Sequence, residues 1–173
     1  MENQTNTKSI ILNYGLYLGI LGVIVHLALW ASGNVFELQW LNTTISFVAM
    51  IVFIILGIKK FKESSGGFMS WGQGVKIGMG IIMISAIITV LYTLLFTTVI
   101  EPDFQQQAME IQQKAWLDSG MTEEQIETFT ESAKGFQGPG IMSAMILAFS
   151  AFIGFIFSAI ISAIMKKSEE ENY

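Results

Sequence analysis

Ionisable side chains are scarce where this chain is most apolar, and His26 is the one that lies well inside an apolar stretch. An imidazole in such a stretch can relay protons or bind a metal, but either role needs a second ionisable or ligating group nearby. The long apolar stretches contain no carboxylate, and the chain has no cysteine. We therefore predict no enzyme, with no catalytic residue, no cofactor and no metal ligand.

Small residues recur at helical spacing in the same stretches. Three sets step by three or four residues along the chain: Gly15, Gly19, Gly22 and His26; Ser85, Thr89, Thr93 and Thr97; and Ser150, Gly154, Ser158 and Ser162. Residues spaced in this way share one face of a helix, and small residues let a second helix approach closely in lipid. We expect helix packing at these faces, with a neutral His26 turned toward a neighbouring helix. A polar pore lining is the alternative.

Four long apolar segments position these residues. They cover about residues 10–31, 41–58, 75–100 and 141–165, and 52% of the chain is hydrophobic. An α-helix rises about 1.5 Å per residue, so segments of this length suit a hydrocarbon core of about 30 Å. We predict an all-α, polytopic membrane protein with four transmembrane helices in a single membrane domain over residues 1–173.

The distribution of lysines predicts how the segments are threaded. All nine basic residues are lysines; seven fall on one side of the segments, and Lys114 and Lys134 fall on the other. Because lysine-rich loops stay in the cytoplasm, both termini are predicted to be cytoplasmic and the connection at about 101–140 extracytoplasmic. The net charge of −5 and the absence of arginine argue against a nucleic-acid partner.

The connection at about 101–140 is acidic, and its pattern predicts a helical hairpin between the third and fourth transmembrane helices. Its second helix should begin at Thr122, because Thr122 and Gln125 have the spacing of a capping box. Ile126, Phe129 and Phe136 follow along its apolar face. This face is expected either to pack on the mouth of the bundle or on the bilayer surface, or to dock another protein.

A lysine cluster follows the second apolar segment, and we predict that it contacts lipid headgroups: Lys59, Lys60, Lys62 and, after a glycine-rich stretch, Lys76. Each lysine near an anionic leaflet contributes about 1 kcal/mol of attraction. Contact with membrane lipid is the ordinary result of the predicted orientation, and recognition of a specific lipid is the more demanding alternative.

Five motifs give the chain a resemblance to a known family. They are GIKKF at 57–61, FMSWGQGVKIG at 68–78, IEPDF at 100–104, MTEEQI at 121–126 and AIMKK at 163–167. With them the chain resembles the bacterial domain of unknown function family 4199, whose members are small four-helix inner-membrane proteins, known mainly from one phylum of Gram-negative bacteria. The resemblance implies a multi-pass protein of the inner membrane, and it brings no activity or site residue with it.

These patterns favour a non-enzymatic interaction or accessory protein that uses its acidic periplasmic helical segment. Its expected partners are membrane lipid and another membrane or periplasmic protein, and its small-residue faces also suit a homo-oligomer. A small oligomeric transporter or channel is the first alternative. A lipid-binding membrane protein is the second.

The cysteine-free chain makes the predicted topology testable. A cysteine placed at Ser119 should react with a membrane-impermeant thiol reagent in cells with opened outer membranes. A cysteine placed at Ser65 should stay unlabelled until the inner membrane is also opened. Labelling at position 65 with the inner membrane intact, or none at position 119, contradicts the orientation.

Overall fold

The computed structural model describes residues 2–167, and side chains from Thr7 onward. Residue 1 and residues 168–173 of the predicted domain lie outside the described residues. The described part holds six α-helices: α1 (Glu2–Ala31), α2 (Gln39–Ser64), α3 (Trp71–Leu95), α4 (Phe104–Asp118), α5 (Glu123–Lys134) and α6 (Pro139–Met165). A π-helical turn, Phe96–Ile100, continues α3. The predicted all-α class is confirmed.

Four of these helices are long and apolar enough to cross a membrane: α1, α2, α3 with its π-helical turn, and α6. At most 28% of the most apolar stretch of each is buried inside the protein. Large apolar side chains such as Leu91 and Phe149 are instead exposed. An apolar exterior of this extent is costly in water and suits a lipid environment, so the helices are those of a membrane protein.

The chain forms two compact units. Of the described residues, the first contains 2–89 and 147–167, and the second contains 90–146. The core of the first unit is made mostly of isoleucines, and Ile54, Ile58 and Ile77 within it are fully buried. In this unit α1 packs along α2.

The motif at 68–78 fixes the start of α3. The Ser70 amide donates to Gln73 Oε1 (2.8 Å) and the Gln73 amide donates to Ser70 Oγ (3.3 Å), which is a capping box. Met69 is 1% exposed and pairs with Lys167 in an isolated antiparallel bridge. The indole of Trp71 donates to the Ala159 carbonyl of α6 (3.0 Å). The motif therefore joins the beginning of α3 to the end of α6.

In the second unit, α4 and α5 pack against each other. Gly120 ends the α4 turn with a φ of +87°, a conformation that glycine adopts without strain. The predicted capping box at Thr122 is confirmed, since its side chain accepts from the Gln125 amide and the Gln125 side chain accepts from the Thr122 amide. At the start of the π-helical turn, Phe96 is buried and contacts Phe104 edge-on, with ring centroids 5.1 Å apart.

Removal of the Thr122 cap should loosen α5 selectively. Thr122→Ala deletes the hydroxyl that accepts from the Gln125 amide (3.3 Å), and loss of an N-cap of this kind costs about 1 kcal/mol. We expect faster amide hydrogen exchange across α5 and unchanged exchange in α1. Thr128→Ala is the matched control, because its hydroxyl bonds only the Glu124 carbonyl of the same helix (2.9 Å). Equal acceleration by both variants contradicts a stabilising cap.

Candidate functional site

The small residues of α6 lie against the glycines of α3 in an interlocked series. A Cβ atom at Gly74 would lie 2.8 Å from the Cβ of Ser162, and one at Gly78 would lie 2.8 Å from the Cβ of Ser158. On the next turn the roles exchange, and a Cβ at Gly154 would lie 2.8 Å from Cγ2 of Ile82. The two helices are therefore closer than alanine at these glycine positions would permit.

The two serines of this interface act as small space-fillers. Ser158 and Ser162 are 0% exposed. Their Oγ atoms have no hydrogen-bond partner within the described part of the chain. A buried hydroxyl without a partner destabilises a fold by about 1–3 kcal/mol, so the hydroxyls themselves do not hold the helices together. Their small volume opposite a glycine backbone allows the close approach.

The glycine face of α1 meets α3 as well. A Cβ at Gly15 would lie 2.6 Å from the Cβ of Ile84, and one at Gly19 would lie 2.6 Å from Cδ1 of Ile88. At Gly22 the space is open, with no atom within 4 Å of the added Cβ. His26 lies one turn further along, partly buried, and makes a polar or ring contact within the protein. The four residues thus share a face and differ in what they touch.

Ser150, the remaining member of the α6 set, faces a cavity. The cavity has a volume of about 200 Å³ and lies within the first unit, among α1, α2, α3 and α6. Apolar side chains form most of its wall, and the hydroxyl-bearing residues Ser46, Ser85 and Thr89 complete it together with Ser150. The α6 face that packs closely against α3 at Ser158 and Gly154 therefore leaves a space one turn earlier in the helix.

The four lysines predicted to hold headgroups have separate roles. Lys62 Nζ donates to the Met165 carbonyl at the end of α6 (3.0 Å), which satisfies a terminal acceptor of that helix. Lys60 forms an exposed ion pair with Glu63 (3.0 Å), and a pair of this kind contributes little to stability. Lys59 and Lys76 are exposed. Headgroup contact stays a prediction, and Lys59 and Lys76 are its best-placed members.

A groove lies between α4 and α5 in the second unit, with a volume of about 340 Å³. Its wall includes the apolar side chains of Leu117 and Ile126 and the exposed glutamates Glu123, Glu127 and Glu131, with Lys134 at the end of α5. The Gln113 side chain donates to Thr130 Oγ1 (2.9 Å) and ties the two helices together there.

The three residues predicted to dock a partner occupy different surroundings. Ile126 is 8% exposed and forms part of the groove wall, so it belongs to the packing between α4 and α5. Phe129 is 53% exposed and contacts Trp116 with the two rings tilted and their centroids 5.8 Å apart. Phe136 is 58% exposed and lines a second, apolar groove with Met142 and Met145. Leu117, absent from the predicted set, is 51% exposed and is the accessible apolar residue of the acidic groove.

Two features of these sites were not predicted from the sequence, although one of them has a recognisable residue spacing. Gly74 and Gly78 are not among the predicted packing residues, yet their spacing of four residues matches that of Ser158 and Ser162. The cavity left no such signal, because it depends on which residues of four helices lie opposite one another. Within the described residues, no three His, Asp or Glu side chains cluster closely enough to hold a metal ion.

The α3–α6 interlock predicts a specific rescue. Gly78→Ala places a methyl group 2.8 Å from the Cβ of Ser158, and overpacking of this kind costs about 1–3 kcal/mol. We expect a lower Tm in mild detergent. Ser158→Gly in the same chain removes the opposing atoms and should restore part of the loss, whereas Ser158→Ala alone should be neutral or stabilising.

Gly22→Ala is the matched control for this cycle, because it makes the same chemical change where no atom lies within 4 Å. It should leave the Tm unchanged or raise it slightly through helix propensity. Equal losses at positions 22 and 78, or no recovery in the double variant, contradict the interlocked packing.

Comparisons with known proteins identify the family. The family model described as "Protein of unknown function (DUF4199)" matches residues 13–167. The chain therefore belongs to this family. Neither a curated protein nor a solved structure gives a significant match to it.

Proposed function

We propose that this member of the DUF4199 family is a non-enzymatic interaction protein of the inner membrane. In this proposal the transmembrane helices are an anchor, and the groove between α4 and α5 binds a segment of a partner protein. The groove itself is the supporting observation: it combines an exposed apolar side chain, Leu117, with a row of glutamates on one helix.

The chemistry of the groove specifies the partner segment. Glu123, Glu127 and Glu131 are exposed along one edge, and Lys134 is the single basic residue of the wall. Complementary charge steers a partner into register, and a desolvated apolar anchor carries most of the binding energy. The expected ligand is therefore a protein segment with lysine or arginine residues flanking one apolar side chain.

The side of the membrane follows from the lysine distribution. The positive-inside rule favours an extracytoplasmic α4 and α5, and in this proposal the partner is a periplasmic protein or the periplasmic part of another membrane protein. The exposure of the side chains decides which positions suit a labelling test of this orientation. Glu63, whose side chain is 66% exposed, is a better cytoplasmic cysteine position than Ser65, whose Oγ is buried.

Photo-crosslinking in cells tests the proposal directly. A photoreactive residue at position 117 should crosslink to one protein, and the crosslinked peptide should contain basic residues around an apolar one. Charge reversal of the groove edge, with Glu123→Lys, Glu127→Lys and Glu131→Lys, should abolish the crosslink, because the groove then repels a basic segment. Raised salt should weaken it for the same reason.

Two acidic residues outside the groove provide the matched control. Glu110 and Glu124 lie on α4 and α5 but do not line the groove. Glu110→Lys with Glu124→Lys should retain the crosslink. The proposal fails if the crosslinked peptide is acidic or neutral, or if the control weakens the crosslink as much as reversal of the groove edge does.

A small oligomeric transporter is the second candidate, and the cavity among α1, α2, α3 and α6 is the observation that favours it. Transport of a polar solute requires water in this cavity. The cysteine-labelling experiment in the next subsection measures whether water reaches it.

A further inference from the structure

The cavity among the four apolar helices lies where the close contacts between α3 and α6 end and small residues of both helices face each other. Toward the end of α6, the space beside Ser158 and Gly154 is filled by α3. One turn earlier, Ser150 faces Ser85 and Ala86 of α3 across a space of about 200 Å³. With small side chains on both helices, no atom of the protein fills the gap. The space is open on one side, and its wall gains dispersion contacts from whatever enters it, so an occupant stabilises the protein.

The wall of the cavity selects an uncharged occupant. None of its lining residues is ionisable, and Leu18, Met50 and Ile153 are among the apolar ones. The Thr89 hydroxyl donates to the Ser85 carbonyl (3.1 Å) and is therefore engaged within its own helix. Among the described side chains, the hydroxyls of Ser85 and Ser150 take part in no hydrogen bond. They are donors available to a ligand oxygen, while a charged group would find no counterion here.

The entrance of the cavity lies on the apolar exterior. Phe47 of α2 and Phe149 of α6 line the cavity and are also 38% and 66% exposed. Two side chains that reach both the cavity and the outer surface mark an opening between α2 and α6. Both helices belong to the set that is apolar enough to cross a membrane, so the opening faces lipid. The nearest source of an occupant is therefore the bilayer itself.

We propose that this cavity is a binding site for one uncharged lipid, whose apolar chain enters between Phe47 and Phe149 and whose hydroxyl or ester oxygen accepts hydrogen bonds from Ser85 and Ser150. The site is independent of the groove between α4 and α5.

Native mass spectrometry of the full-length protein, released from nanodiscs that contain a neutral diacylglycerol, tests the site. We expect one diacylglycerol per chain. Ser150→Leu places a larger apolar side chain in the cavity and should abolish retention while the Tm is kept or raised. Ala148→Leu adds similar volume at an exposed position of the same helix that does not line the cavity, and should retain the lipid. Ser85→Ala with Ser150→Ala removes both proposed donors and should weaken retention about tenfold or more.

Labelling with a charged, membrane-impermeant thiol reagent tests whether water, and not lipid, occupies the cavity. In this cysteine-free chain, Ser150→Cys should resist the reagent, because a lipid-filled cavity excludes water. Rapid labelling of that cysteine overturns the proposal and moves the cavity to the transporter candidate. The proposal is also overturned if the wild-type chain retains no diacylglycerol, or if Ser150→Leu retains as much as Ala148→Leu does.

Discussion

Close contact between helix backbones is the constraint on which the first unit depends. Lipid tails are as apolar as the side chains that face them, so helices in a bilayer gain little from apolar burial and associate through packing. Here the packing is concentrated where Gly74 and Gly78 meet Ser162 and Ser158. The Trp71 indole and the bridge between Met69 and Lys167 join the same two helices at the end of this series. The cavity begins where the series ends, so tight packing and open space both follow from one ridge of small residues.

The second unit has a different physical basis. Its helices α4 and α5 carry few buried residues, and a side-chain hydrogen bond, a capping box and the Trp116–Phe129 contact hold them. Most of their surface is polar and acidic, and exposed aromatic and apolar groups interrupt it. An exposed apolar side chain surrounded by charged side chains is common on protein-binding surfaces. The proposed function assigns anchoring to the apolar helices and partner recognition to the acidic unit.

The sequence predicted what depends on one helix at a time. Apolar length located the four long helices, and the spacing of Thr122 and Gln125 located the start of α5. It could not determine which neighbour each face meets. Ile126 and Phe129 share an apolar stripe, yet only the first is buried, because that depends on how α4 crosses α5. Lys62 was grouped with the headgroup lysines, although its Nζ reaches a carbonyl 103 residues away. The cavity likewise requires four helices in register.

Native mass spectrometry of the protein extracted at its natural abundance in mild detergent tests the central claim of partner binding most directly. The account predicts a complex that contains a second protein in fixed stoichiometry with this chain. A spectrum that shows this chain only by itself or as a homo-oligomer, whether or not lipid is bound, contradicts the interaction function. It would leave the cavity as the functional centre of the molecule.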